Sequence, residues 1–197
     1  MTTPPVDTRH LVEHQTRREE LLKGQFLHVL RDTVRLPDGS EAGREFIVHP
    51  GAVMVIALLD DGQVVLERQY RYPVQQAMVE FPAGKLDAGE PSLVCAQREL
   101  LEETGYRAKQ WALAGRLHPA ISYATETIDI WFARKLVAGE RQLDAGEFLD
   151  VFSAMPDQLL HWCFDGTVTD GKTLSGALWL QNFLAGQWPL EWQTQGL

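Results

Sequence analysis

A layered α/β domain with a mixed sheet is the fold class that the sequence predicts, and three observations carry it. Strand patterns crowd the middle of the chain, led by the uninterrupted apolar run AVMVIALL at residues 52–59. A glycine-bounded loop at residues 84–89 opens into a helix that another glycine, Gly105, closes. Two further helical patterns stand apart from the strands, late in the chain. At 197 residues the chain can bury a full core as one sizeable domain, or as a domain with a short extension.

Taken in order, residues 1 to about 15 are polar and contain proline, and are expected to be lightly held. Between about 20 and 50, Phe26-Leu27-His28-Val29-Leu30 and Phe46-Ile47-Val48-His49 alternate like strands. Pro37-Asp38-Gly39 supplies a hairpin turn after Thr33-Val34-Arg35-Leu36. This unit, residues 1–50, looks too small for a core of its own. It is expected to pack on the main domain, residues 51–197, or on a partner subunit. In the main domain, AVMVIALL, Asp60-Asp61-Gly62 and VVLERQY form two buried strands around an Asp-Gly turn. Met78-Val79-Glu80-Phe81 is a short strand leading to Pro82 and the glycine loop. Residues 111–117 and 127–136 read as further strands. Residues 156–164 read as a helix with proline in its first turn, and 173–185 as another, with Leu174, Leu178 and Trp179 on one side. There is no internal repeat and no low-complexity segment.

Composition excludes several function classes. A net charge of −9 leaves no basic stripe to neutralise a phosphate backbone, so no nucleic-acid partner is expected. No run approaches 18 apolar residues, and MTTPPVDTRH lacks a signal peptide's apolar core. The expectation is no membrane partner and a cytoplasmic location. Cys95 and Cys163 form neither a disulfide framework nor a zinc pattern, and Cys95 reads as a small buried residue. The six tryptophans read as core or interface anchors.

The helix after the glycine loop carries the chemistry. Pro91 suits its first position, and Gly105 its end, giving about fourteen residues, or roughly 21 Å. Leu93, Val94, Ala96, Leu100 and Leu101 spread over one side, while Glu99, Glu102 and Glu103 cluster on the other. Like charges four residues apart cost a few tenths of a kcal/mol per pair. Acids in the last turn also face the negative end of the helix dipole, at ~0.3–1 kcal/mol each. Arg98 offsets only part of this. Such a conflict is a mark of functional sites, and a solvated acidic face is the alternative reading of three helical glutamates. Three carboxylates beside a glycine-rich loop with free carbonyls suit a hard divalent cation such as Mg²⁺, with Mn²⁺ as a substitute.

The full spacing over 23 residues is Gly84, five residues, Glu90, seven residues, then Arg98-Glu99-Leu100-Leu101-Glu102-Glu103-Thr104-Gly105-Tyr106. It resembles the Nudix box, the signature of the Nudix hydrolases. The resemblance implies an α/β/α sandwich with a mixed β-sheet, here with a small antiparallel β unit before it. It also implies Mg²⁺-dependent hydrolysis of a nucleoside diphosphate linked to another moiety. Carried onto matching positions, it makes Glu99 and Glu103 metal ligands and Glu102 a further or water-mediated ligand. Arg98 and Glu90 become the ion pair tying loop to helix, with Gly84 and Gly105 structural.

Around the box, Arg68-Gln69-Tyr70-Arg71-Tyr72-Pro73, Glu80-Phe81-Pro82-Ala83-Gly84, and His118-Pro119 followed by Glu126-Thr127-Ile128-Asp129 are similar to ADP-ribose pyrophosphatases. That resemblance implies cleavage of ADP-ribose to AMP and ribose 5-phosphate. It implies the Ala83 carbonyl as a metal ligand, with Glu80, an arginine from Arg68 and Arg71, and Glu126 contacting substrate. It further implies a homodimer, with residues 20–50 the exchange surface. A general base is expected on an acidic loop after the last strands, and Glu147 occupies that place. The loop is poorer in acids than the family pattern, which leaves Glu140, Asp144 or a box glutamate such as Glu102 open. Another nucleoside diphosphate sugar, such as GDP-mannose, is an alternative substrate. A non-catalytic ADP-ribose sensor would show degraded box glutamates, and all three are in place.

One competing motif needs an answer. Gly166-Thr-Val-Thr-Asp-Gly171-Lys172-Thr173 matches the P-loop string G-x-x-x-x-G-K-T. The segment before it reads as a helix where a P-loop requires a buried strand. Too few residues follow to build the parallel core. A loop in which Asp170 or Thr173 caps the last helix is the expected reading.

Overall fold

In the computed structural model, which describes residues 7–143 and 145–196, the chain divides into two units. The first reaches to His49 and takes in a later segment, Ala120–Glu126, which the division at residue 50 did not anticipate. The second comprises Pro50–Pro119 and the chain from Thr127 onward.

The first unit is an antiparallel sheet of β1 (His14–Lys23), β2 (His28–Arg35) and β3 (Glu41–Ile47), in that order. β1 begins at His14, earlier than expected, and all ten of its residues are exposed. The β2–β3 turn is the Pro37-Asp38-Gly39 hairpin, with Gly39 at φ 88° and its N–H on the Leu36 carbonyl. Leu30, Asp32 and Val34 are buried along one face of β2, as a strand's two-residue period requires. Arg18 neutralises the buried Asp32 with two hydrogen bonds of 2.7 and 2.8 Å. The returning segment is held by the Tyr123 carbonyl, which accepts from the Ile47 N–H at 2.8 Å.

The second unit is built on an eight-stranded mixed sheet. Its strands are β4 (Ala52–Leu58), β5 (Val64–Arg71), β6 (Gln76–Glu80), β7 (Ala83–Lys85), β8 (Tyr106–Leu117), β9 (Ile128–Ala138), β10 (Leu149–Ala154) and β11 (Gln193–Thr194). The order is β10-β5-β4-β9-β8-β11, with β6 on β5 and β7 on β4. Only the central β4–β9 pair is parallel. β4 is buried on both faces, which is why its sequence is continuously apolar rather than alternating.

Successive β4 residues feed two cores. Val53, Val55 and Ala57 pack with Cys95, Ala96 and Leu100 of α1 (Ser92–Thr104). Met54 and Ile56 pack with Leu159 of α2 (Pro156–Asp165) and with Ala177 and Leu180 of α3 (Gly171–Leu184). The result is helix, sheet, helices: an α/β/α sandwich. Each fully buried aliphatic or aromatic side chain contributes ~1.5–3 kcal/mol, so the helices are fixed to the sheet from both sides.

Pro91 is the N-cap of α1 rather than its first helical residue, with ψ 139°, and the helix is 13 residues long. Gly105 closes it in the left-handed conformation at φ 76°. Asp170 caps α3, its side chain accepting from the Thr173 N–H at 3.0 Å. Gly166 ends α2, so the P-loop string spans a helix–helix connection and not a strand–helix turn. Among the described residues, no helix is long and apolar enough to cross a membrane.

Candidate active site

The box loop is tied to α1 by one arginine. Arg98 grips both oxygens of Glu90, at 3.0 and 2.9 Å, and donates to the Lys85 carbonyl at 3.1 Å. Glu90 in turn accepts the Asp87 N–H at 3.0 Å, closing the loop on itself. The guanidinium holds the Glu90 carboxyl down at about 2. Arg98 also donates to Glu99 at 2.7 Å and Glu102 at 3.0 Å. One cation therefore serves three carboxylates, and the local charge stays negative.

Beyond Arg98 the box glutamates differ sharply in setting. Glu103 is 2 % exposed, and its carboxylate accepts the Ala83 N–H at 3.0 Å. Glu99 lies against the loop backbone in space that Gly84 leaves open. A Cβ there would stand 1.8 Å from its carboxyl carbon. Burial pushes Glu99 up to about 7, against the pull of Arg98. Glu103 is pushed well above the carboxylate range by burial and by facing Glu67, Glu99 and Glu147. Glu147, from the loop before β10, comes within electrostatic reach of both Glu99 and Glu103, and the Gln69 amide of β5 donates to it at 3.5 Å. Asp144 lies outside the described residues.

A second polar group adjoins the first. Arg71 at the end of β5 makes a two-pronged pair with Glu80 of β6, at 2.6 and 2.7 Å. Lys172, at the start of α3, bridges Glu80 and Asp170. Burial raises the Glu80 carboxyl, but these two cations more than offset it and leave it below the ordinary range. Arg68 points the other way, stacking over Phe152 with its guanidinium 5.1 Å from the ring centroid. Alternation along β5 puts it on the strand face opposite Arg71. Glu126 belongs to the first unit, where it pairs with His49 at 3.8 Å. The structure thus gathers Glu99, Glu102, Glu103, Glu147, Ala83 and Gly84 at one corner, with Glu80 and Arg71 beside it.

Two participants escaped the sequence reading. Lys172 was set aside with the P-loop string that contains it. Glu67 sits on β5 in phase with Val65, a position that the strand's alternation marks as inward, and it is completely buried. Among the described residues no amide, hydroxyl or cationic group donates to either of its oxygens.

Three observations fit this corner to a hard divalent cation. Acids outnumber cations there, a buried carboxylate lacks an amide, hydroxyl or cationic donor among the described residues, and glycine keeps the loop backbone open to Glu99. The donors are oxygens throughout, which suits Mg²⁺ or Mn²⁺ over softer ions. Among the described residues, no three acidic, His or Cys side chains yet converge closely enough to enclose an ion, and Arg98 occupies Glu99 and Glu102.

Comparison with known proteins agrees with this geometry. The NUDIX domain matches residues 48–174, and the nucleoside diphosphate sugar hydrolase N-terminal domain matches residues 13–47. A methanol dehydrogenase activator from Bacillus methanolicus is 37 % identical, over 87 % of this chain and 94 % of that one. An ADP-ribose pyrophosphatase from Bacillus subtilis is 34 % identical, over 88 % and 95 %. The crystal structure of an ADP compounds hydrolase superposes with a TM-score of 0.80 at 22 % identity, covering 89 % of this chain and 95 % of its own, and so shares the fold. The box on α1, the carboxylates it gathers and the matched length place this chain in the Nudix hydrolase family.

Proposed function

We propose that the protein hydrolyses the diphosphate bond of ADP-ribose, giving AMP and ribose 5-phosphate, with Mg²⁺ as its metal. The observation that carries this reading is the intact corner of Glu99, Glu102 and Glu103 facing Glu147, in a chain 34 % identical over nearly its whole length to an ADP-ribose pyrophosphatase. Glu99, Glu103 and the Ala83 carbonyl would hold the metal, with Glu102 as a further or water-mediated ligand. The bound ion supplies neutralisation of the diphosphate charge and a lowered pKa for the attacking water.

The protein's own groups do the rest. Glu147 would take a proton from the attacking water, a role supported by its electrostatic reach to Glu99 and Glu103. The cationic Arg71, held in place by Glu80 and Lys172, contacts the substrate as a planar two-pronged donor. Of the two arginines we assign Arg71 to the substrate, because Arg68 stacks over Phe152. The N-terminal strands mediate a homodimer, and the fully exposed β1, with Leu21 and Leu22 at 38 % and 48 %, supports that role.

A panel of ADP-ribose, GDP-mannose, UDP-glucose, diadenosine polyphosphates and oxidised dNTPs, with Mg²⁺ and phosphate-based detection, tests the reading. ADP-ribose is expected to lead by kcat/KM. Preference for a dNTP overturns the substrate class, and inactivity on every compound favours a binding protein.

A further inference from the structure

We infer that Glu67 supplies a further carboxylate to the divalent-cation centre, from the sheet rather than from the box helix. The inference rests on the proposed metal site. Its own support comes from β5.

Val65 packs in the layer that holds Cys95, Ala96 and Leu100 of α1. Two residues on, Glu67 projects from the same strand face, toward the helix that carries the box. Gln69 and Arg71 continue that face, and each meets a residue already placed at the site: Gln69 donates to Glu147, Arg71 to Glu80. Glu67 meets Glu103, which it pushes upward while the Glu103 carboxyl in turn bonds to it. One face of β5 is therefore a second wall of the corner that α1 lines.

Glu67 has the weakest structural excuse of the buried acids. Asp32 has Arg18, Glu80 has Arg71 and Lys172, Asp129 has Arg116, and Glu103 has the Ala83 N–H. Glu67 is wholly buried, and among the described residues no amide, hydroxyl or cationic group donates to either oxygen; its neighbour is another acid, Glu103. It also stands directly across the ladder from Glu80, a like-charged cross-strand pair that a sheet disfavours. A glutamine or leucine would fit the same volume with less penalty, because a buried carboxylate whose nearest cations are bonded to another acid is poorly compensated. Arg71 and Lys172 bond to Glu80 and reach Glu67 only through space. A cation held between β5 and α1 compensates the acid where it lies.

The two roles predict opposite signs. Wild type and Glu67→Gln are titrated with Mn²⁺ and the free ion is followed by electron paramagnetic resonance. Both proteins are melted in chelator. The expected result is an Mn²⁺ Kd at least about tenfold weaker in the variant, with a metal-free Tm equal to or above that of wild type. Wild-type Mn²⁺ affinity in Glu67→Gln overturns the inference, as does a variant that fails to fold without metal, since the acid is then structural. Absence of Mn²⁺ binding by wild type removes the metal centre itself, an outcome distinct from either.

Discussion

Gly84 and Glu99 compete for one volume: a Cβ built on Gly84 falls 1.8 Å from the Glu99 carboxyl carbon and 1.9 Å from its Oε1. Gly84 does not have a left-handed backbone, so space and not conformation requires glycine here. The obstructed group is the end of a flexible side chain, which can swing aside without moving the backbone. Gly84→Ala is therefore expected to fold with a Tm close to wild type while kcat/KM falls on the order of 100-fold, as for a catalytic group misplaced by about 1 Å. Steady-state kinetics beside a thermal melt check this. A collapsed Tm would mean that the loop, not the carboxylate, is what glycine serves.

Glu103 is buried and accepts one backbone N–H, a bond that a glutamine carbonyl can also accept. Glu103→Gln should keep the fold and lower kcat by at least ~100-fold if its charge is the one assigned to the metal. An effect of only a few-fold would remove Glu103 from the ligand set.

Arg71 and Arg68 are three residues apart, yet they face opposite sides of β5. Arg71→Ala is expected to raise KM for ADP-ribose about tenfold or more, consistent with a lost charge-assisted contact of ~1.5–3 kcal/mol. Arg68→Ala should leave KM within about twofold. Comparable effects of the two would dissolve the assignment.

The Glu90–Arg98 pair gives the fold an acid limit. Glu90 is held at about 2 by Arg98, below its ordinary value of 4.5. A depressed carboxyl contributes stability that is fully present above the unfolded value and is lost as pH falls through the folded one. Wild type should lose its advantage over Glu90→Gln between about pH 4.5 and 2, with the two melting curves converging at the acid end. Parallel curves across that window would show that the pair contributes no linked stability.

Much of this architecture is readable from pattern alone. The β4–β5 hairpin, the α1 span and the late helices follow apolar period, Asp-Gly turns and glycine caps, all local signals. β1 was legible only in part, because its HQTRREELLK sequence is exposed throughout and carries no inward face to alternate with. β7 and β11, at three and two residues, are too short to leave a period. The return of Ala120–Glu126 to the first unit depends on tertiary pairing with Ile47, which sequence does not encode locally. At the site, the box residues announce themselves by spacing. Glu67 leaves a fainter mark, an acid at an inward-phase strand position. Lys172 was hidden by belonging to a motif whose usual meaning its helical context rejects.

The central claim is that the carboxylates crowded at the end of α1 exist to hold divalent cations. Crystals soaked in Mn²⁺ and measured for anomalous scattering address it without any substrate. The account predicts an anomalous peak bounded by Glu99, Glu103 and the Ala83 carbonyl, with Glu67 turned toward it. An anomalous map with no peak at this corner, and Glu99 and Glu102 still bound to Arg98, would contradict it.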